Sequence, residues 1–285
     1  MPEPVALRVG MVSSFMPPHL GGLEVVAESL FDAYRAAGFE VRWIASRVPR
    51  TLPPRDGGRI RVKCWNGFEQ WLGVPWPVWG PRGIQEVARL AEWADVVHLH
   101  DCVYLGSVLA AIFAHRHRTP MLVSQQIGLV HYRSALLNRL QRVAYHTLGR
   151  LVLRKASHVV FCSPEAEAFM TTLLGGRPST SSTIFNGIDP ARFRPPSVAE
   201  RATARQALGL PESKRVALFA GRLVEKKGVD LFVQVCGQTT SHHFLMVGDG
   251  PLRPTTSENL TWIPHLPSAR MALAYQAADV LLLTS

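Results

Sequence analysis

Residues 216–220, Val-Ala-Leu-Phe-Ala, form an apolar run that ends at Gly221 and Arg222; Lys226, Lys227 and Gly228 follow before apolar residues resume at helical spacing. Arginine presents a planar set of donors to phosphate oxygens, and lysine a compact positive charge. Between Gly221 and Gly228, Arg222 and Lys227 suit a diphosphate, either held as a ligand or stabilised as a leaving group. A solvated basic loop would use the same residues. Two other glycine pairs stand where an apolar segment gives out. In "MPPHLGGLEVV", Gly21 and Gly22 precede a helical pattern, so backbone N–H groups and the helix dipole can meet an anion. In "FLMVGDGP", Gly248 and Gly250 flank Asp249, a pattern that a plain turn explains equally well. His98 and His100 flank Leu99 and point to one side of a strand. No Cys or third His completes a metal set, so His100 beside Asp101 is expected to face a substrate.

These residues need elements to hold them. Strands are expected at 7–14, 40–45, 95–99, 121–124, 158–162, 216–220, 243–247, 260–263 and 279–283, with helical segments between them, such as 23–37 stopped by Gly38. Ser163-Pro164-Glu165 reads as an N-cap, a proline in the first turn and an acid at the dipole. This alternation predicts open parallel α/β sheets, whose ligands lie outside the carboxyl ends of the strands. Gly, Pro, Ser and Thr interrupt the rhythm over 175–200, and a boundary there gives domains at 1–190 and 191–285. Residues 65–82 hold four of the seven tryptophans and read as an ordered loop packed on the first domain or touching an acceptor. Residues 132–155 carry Arg133, Arg139, Arg142, Arg150, Arg154 and Lys155 without an acid, a basic amphipathic pattern that suits either an anionic membrane or a solvated face.

The 285 residues and 47% hydrophobic content allow two cores. The net charge of +10 is spread over both halves and fits an anionic small molecule or membrane; no basic tail of the nucleic-acid kind occurs. No apolar run reaches membrane-span length, and no signal peptide precedes the first strand. Cys64, Cys102, Cys162 and Cys236 form no CxxC pair and read as reduced thiols. A GxxxxGK[ST] loop is absent, which argues against a P-loop kinase or ATPase, and no GxGxxG follows the first strand, which weakens a dinucleotide-dependent oxidoreductase.

Together "SSFMPPHLGGLEVVAESL", "ADVVHLHD", "FCSPEA", "FNGIDPARFRP", "FAGRLVEKKGVDLF", "MVGDGP" and "YQAADVLLLTS" resemble, in order and over nearly the whole chain, the family 4 glycosyltransferases. The resemblance implies a GT-B fold of two Rossmann-like domains: an acceptor-side domain, then a nucleotide-sugar-binding domain incomplete at Ser285. It implies transfer of a sugar from a UDP- or GDP-sugar to a saccharide or lipid-linked hydroxyl, with the anomeric configuration kept and no metal or other cofactor. It implies a cytoplasmic enzyme with possible contact to the inner membrane face. By the same resemblance, Arg222 and Lys227 grip the diphosphate, and Gly21-Gly22 lies near the donor phosphates and sugar. Gly221, Gly248 and Gly250 line the nucleotide, Ile263 faces the base, and Asn186-Gly187 marks the interdomain crossing. His100 and Asp101 stand on the acceptor side. Where the family commonly has a sugar-contacting histidine, this chain has Gln126, which donates a hydrogen bond but carries no proton near neutral pH. The family's two glutamates, seven residues apart, fall in a loop beyond Ser285 and are not in the sequence, so with Gln126 slow or no turnover is expected. A non-catalytic sugar-nucleotide-binding or partner-binding remnant is the alternative.

Overall fold

The computed structural model describes residues 6–284 except 20, 127, 131, 133, 179, 256, 268 and 269; the side chains of Leu72 and Lys226 are also left aside. Arg133 of the basic segment and Ser285 therefore lie outside the described residues. The chain divides into two units, Met1–Gly187 and Ile188–Ser285.

In chain order the first unit runs β1 (Arg8–Val12), α1 (Gly22–Ala36), β2 (Glu40–Ser46), β3 (Arg55–Asp56), β4 (Arg59–Val62), β5 (Cys64–Trp65), α2 (Gly67–Leu72), β6 (Val78–Trp79), α3 (Pro81–Trp93) and β7 (Val96–His100). It continues with α4 (Leu105–His117), β8 (Met121–Gln125), α5 (Ala135–Ala144), a π-helical turn (Tyr145–Gly149), α6 (Arg150–Lys155), β9 (His158–Phe161), α7 (Pro164–Leu174) and β10 (Ser181–Thr183). Eight strands pair in the order β10-β9-β8-β7-β1-β2-β4-β3, parallel except for β3 with β4. Alternate residues of each strand serve opposite faces. Val12, Ile44, Leu99, Val123 and Phe161 pack under Val87, Ala111, Val152 and Met170 from the helices of one face. Met11, Trp43 and Ala45 pack under Ala27 and Phe31 of α1 on the other. Ala27 and Phe31 are four apart, one turn of helix, and burying a side chain like Phe31 contributes roughly 1.5–3 kcal/mol. Ser163 caps α7 as the sequence predicts, its Oγ accepting from the Ala166 N–H at 3.2 Å.

The second unit runs α8 (Val198–Ala207), β11 (Arg215–Ala220), a 3₁₀ turn (Glu225–Lys227), α9 (Val229–Gln238), β12 (His242–Val247), β13 (Leu260–Ile263), α10 (Met271–Ala277) and β14 (Val280–Leu281). Its parallel sheet has the order β13-β12-β11-β14. Leu218 and Leu245 meet Ala204 of α8 and Ala274 of α10 on one face. Phe219 and Met246 meet Phe232 of α9 on the other. Asp279 fixes the entry to β14, accepting from Arg201 Nη1 (2.6 Å), Arg205 Nη2 (2.7 Å) and the Val216 N–H (2.7 Å).

Both sheets reverse direction at one strand. In the first unit β1 stands between β2 and β7, and in the second β11 stands between β12 and β14. The loops leaving β1 and β11 therefore open at the points where crossovers diverge, the usual ligand crevice of such sheets. Three details depart from the sequence reading. Residues 65–82 are a small hairpin, β5 with β6, enclosing α2, and Trp79 is buried against Gly106. The strand expected at 279–283 shortens to two residues, although the Leu282 N–H still reaches the Leu218 carbonyl at 2.9 Å. The basic segment is two helices joined by a π turn rather than one regular helix.

Candidate functional site

In the second unit, the loop after β11 carries the basic pair. Leu223 is fully buried while Arg222 and Lys227 on either side of it are exposed, so one apolar anchor holds the loop down and turns both cations outward. Among the described residues no carboxylate pairs with either cation. Lys227 closes the 3₁₀ turn, with its N–H on the Val224 carbonyl at 2.9 Å, and α9 begins only at Val229. Gly228 between them is left-handed at φ +62°, and a Cβ there would lie 2.2 Å from the Thr284 carbonyl oxygen. Thr284 also donates from Oγ1 to the Lys227 carbonyl at 2.7 Å. The loop is braced on its other side by the turn after β12. The Leu223 N–H donates to the Asp249 carbonyl at 2.9 Å and the Leu252 N–H to the Leu223 carbonyl at 3.1 Å.

That bracing explains two glycines. A Cβ on Gly248, at φ +139°, would lie 1.9 Å from the Gly221 carbonyl oxygen, and one on Gly250 would lie 2.3 Å from that of Leu223. Close approach of two turns demands both glycines. Gly221 differs: nothing lies within 4 Å of a Cβ placed there. Ile263 ends β13 beside this turn, its carbonyl accepting from the Gly248 N–H at 3.0 Å.

In the first unit, the loop after β1 leads to Gly21 and Gly22. Around it lies a group that the sequence reading missed. The His19 ring stacks on Phe15 with centroids 3.9 Å apart. Its Nδ1 lies 3.2 Å from Glu24 Oε1 and its Nε2 3.0 Å from Glu69 Oε1. Burial by itself lowers the imidazole pKa, but the hydrogen bonds and charges of Glu24 and Glu69 outweigh it and raise the group to about 9. The imidazolium thus ties the glycine loop to α2, and Asn66 Nδ2 donates to the other Glu69 oxygen at 2.6 Å. A Cβ on Gly21 would lie 2.1 Å from Glu24 Oε2, so this glycine makes room for the clamp; at Gly22 the space is open. The spacing His19-x-Gly-Gly-x-Glu24 was the available signal, but Glu69 is distant in sequence.

His98 and His100 do share a side, their rings 4.4 Å apart. Neither His100 nor Asp101 reaches the surface: both are 0% exposed and lie beneath the carboxyl end of β7. Burial, then the neighbouring His98, drives the His100 pKa well below the ordinary value, and neither ring nitrogen has a hydrogen-bond partner among the described residues. His98 is pushed down to about 4 by burial and is fixed by Tyr34 Oη at 3.1 Å and Ser124 Oγ at 2.8 Å. Asp101 takes the left-handed conformation, φ +74°, unusual for a non-glycine. Its Oδ1 accepts from the Cys102 N–H (2.7 Å) and the Val103 N–H (3.3 Å), the local bond that makes such a turn tolerable for Asp. Burial raises the Asp101 carboxyl to about 6, against the pull of those N–H groups and the Gln125 side chain.

Gln126, after β8, is half-buried, and its Oε1 accepts from Asn186 Nδ2 at 3.0 Å. The Cys162 thiol donates to its carbonyl at 3.2 Å. Two residues singled out separately in the sequence are therefore one hydrogen-bonded pair. Among the described residues no three His, Cys, Asp or Glu side chains gather as a metal site.

Comparison with known proteins places these features in context. The model of the glycosyl transferase 4-like domain matches residues 21–187. The alpha-monoglucosyldiacylglycerol synthase of Acholeplasma laidlawii is 24% identical, over 97% of this chain and 74% of its own. A D-inositol 3-phosphate glycosyltransferase of Xylanimonas cellulosilytica is 30% identical, over 100% of this chain and 76% of its own. Among solved structures, sucrose-phosphate synthase from Thermosynechococcus elongatus superposes with a TM-score of 0.71 at 18% identity, over 97% of this chain and 75% of that one. HepE of Anabaena in complex with UDP-glucose does so with a TM-score of 0.65 at 17% identity, over 96% and 73%.

Proposed function

Because the chain belongs to the family 4 glycosyltransferases, GT-B enzymes of the hexosyltransferase type, we propose that it transfers a sugar from a UDP- or GDP-sugar to a hydroxyl on a lipid-linked or saccharide acceptor, with retention. The observation that carries this reading is the outward-turned pair Arg222 and Lys227, without a carboxylate partner among the described residues, at the strand where the second sheet reverses. In the reaction the anomeric C–O bond to the diphosphate breaks and its electron pair stays on the diphosphate, while the acceptor oxygen bonds to the anomeric carbon and passes its proton to the departing diphosphate. The negative charge that develops on the leaving group is met by Arg222 and Lys227, a role that preorganised cations fill without a metal or other cofactor. Gly221 leaves the strand end open to the phosphates, Gly248 and Gly250 hold the loop in place, and the end of β13 at Ile263 lies beside the nucleotide.

In the first unit, Gly21 and Gly22 admit the donor, and Gln126, oriented by Asn186, offers its amide to a sugar oxygen. His100 and Asp101 support the acceptor-side floor. The relatives named for a glucosyldiacylglycerol and for an inositol phosphate support a polar or lipid hydroxyl acceptor. A lipid acceptor agrees with α5, on which no residue is buried and on which Leu136, Leu140 and Val143 form an exposed apolar stripe, with Arg139 and Arg142 along one side of it. Peripheral contact with an anionic membrane, from the cytoplasm, is part of this reading; four free cysteines support a reducing compartment.

Calorimetric titration with UDP and with GDP tests the basic pair. Losing one charged partner of a phosphate should weaken binding roughly ten- to a hundred-fold. Arg222→Ala and Lys227→Ala are each expected to show this loss with the fold intact; unchanged affinity in both, against a wild type that binds, removes the assignment.

A further inference from the structure

At the other end of the first sheet lies a hollow that the transfer reaction does not use. It has a volume of about 670 Å³ and is lined by His115, His146, Arg150, Leu151, Arg154 and Lys155, with Thr147 at its wall. An adjoining hollow of about 430 Å³ shares His115 and Lys155 and adds Arg118 and Met121, the first residue of β8. The pair therefore opens at the amino ends of the strands, whereas Gly21, Asp101 and Gln126 follow carboxyl ends. We propose that this hollow is a binding site for a phosphate ester.

Four observations carry the proposal. Three cationic side chains and two imidazoles converge there, and no acid is among the lining residues. None of Arg150, Arg154 and Lys155 pairs with a carboxylate among the described residues. Arg150 is partly anchored, its Nη2 donating to the Leu174 carbonyl at 3.3 Å, yet its Nε is buried without a partner among the described residues. The volume falls in the range of small-ligand sites, about 300–1,000 Å³.

The bland account is that basic residues complement the carboxyl ends of α4 and α6. Each helix end carries about half a negative charge, so two ends call for about one cation. The hollow gathers three, with Arg118 beside it, and this surplus is unpaired. Like charges held together repel, so an anion between them relieves a cost that the fold otherwise bears. A phosphate ester fits the mixture of arginine forks, lysine and imidazole donors with the one apolar wall at Leu151.

Such a group comes either from a soluble ester or from an anionic lipid headgroup, and the two sources are separable. Inorganic phosphate and glycerol phosphate are titrated while the amide shifts of residues 146–155 are followed. In parallel, sedimentation is measured with vesicles of phosphatidylcholine alone and with added phosphatidylglycerol. The test variant is Arg150→Gln/Arg154→Gln/Lys155→Gln. A control of equal charge change, Lys63→Gln/Arg82→Gln/Arg215→Gln, lies at exposed positions elsewhere, and Arg150→Lys/Arg154→Lys keeps the charge should the triple variant fold poorly. We expect saturable binding that falls about ten-fold or more in the test variant and stays within two- to three-fold in the control. A loss confined to the soluble ligands assigns a free ester, and a loss confined to vesicles assigns a lipid headgroup; either supports the site. Equal binding by test variant and wild type in both arms overturns it. So does vesicle binding that disappears in Leu136→Ser/Leu140→Ser but not in the test variant, a result that keeps the membrane reading and discards the hollow. Binding of UDP, read separately, reports on the basic loop and not on this site.

Discussion

His19 shows how a single residue joins distant parts of the first unit. It lies five positions from Glu24 and fifty from Glu69, and both carboxylates hold its ring. Its pKa is about 9 in the folded protein against about 6.5 when unfolded. A raised folded value means that the stabilisation is fully present below about pH 6.5 and is lost as pH rises through about 9. The difference corresponds to about 3 kcal/mol, and His19 is well shielded from solvent, so little is lost to screening. His19→Gln is therefore expected to cost about that much in urea unfolding near pH 6 and little near pH 10. A penalty independent of pH would show that packing on Phe15, not charge, sets the effect. Asp101 is the contrasting case: both bonds of its Oδ1, from the Cys102 and Val103 N–H groups, are local and shape a turn.

Among the elements, the loop from β11 to α9 depends most on its neighbours. It is short and polar, yet Leu223 pins it, the Gly248–Gly250 turn packs against it, and Thr284 closes it from the side of β14. Gly228 is where these constraints meet. A side chain there must adopt φ +62° and also enter the space of the Thr284 carbonyl, 2.2 Å from its Cβ. Left-handed strain for a non-glycine costs about 1–3 kcal/mol, and the displacement adds to it. Gly228→Ala is expected to lower the stability of the second unit by at least about 2 kcal/mol and to weaken nucleotide binding through loss of loop order. An unaltered melting curve would show that the end of the chain does not brace the loop. The helical segment after β8 depends on its neighbours differently. Its first part, α5, buries no residue, and only with Tyr145 and Gly149 of the π turn and with Val152 and Leu153 of α6 does it join the core.

For the whole molecule, the net charge of +10 becomes meaningful once its placement is known. Arg139 and Arg142 lie along one side of the apolar stripe of α5, and the hollow beyond it is basic. Apolar residues beside cations on one helical face favour an anionic interface over neutral lipid. Vesicles containing phosphatidylglycerol are expected to sediment the protein, phosphatidylcholine alone to leave it in solution, and Leu136→Ser/Leu140→Ser to reduce recovery with the anionic vesicles several-fold. Equal recovery in the supernatant with and without anionic lipid would leave α5 a solvated helix. No described helix is long and apolar enough to cross a membrane.

Much of this protein was legible in one dimension. Apolar runs of strand length alternating with helical spacing gave parallel α/β sheets, because period and length are local properties that survive in the sequence. The basic loop was legible for the same reason: its glycines, arginine and lysine are neighbours in the chain. β3 and β4 were not, since Arg59-Ile60-Arg61-Val62 alternates charge with apolar residues and owes its strand to pairing with β2. The purposes of individual residues were decided only by the tertiary structure. Gly248 and Gly250 read equally as a ligand turn or a plain turn, and only the packed neighbours show that the fold requires both. His100 was expected to face a substrate from a strand end, and its burial came from the packing around β7. Glu69 drew no notice, and Gln126 and Asn186 were not seen as partners, because residues fifty and sixty apart meet only when sheet order brings their loops to one end. Composition and spacing state which chemistry a chain carries; burial and distant partners, fixed by packing, determine which side chains are free to perform it.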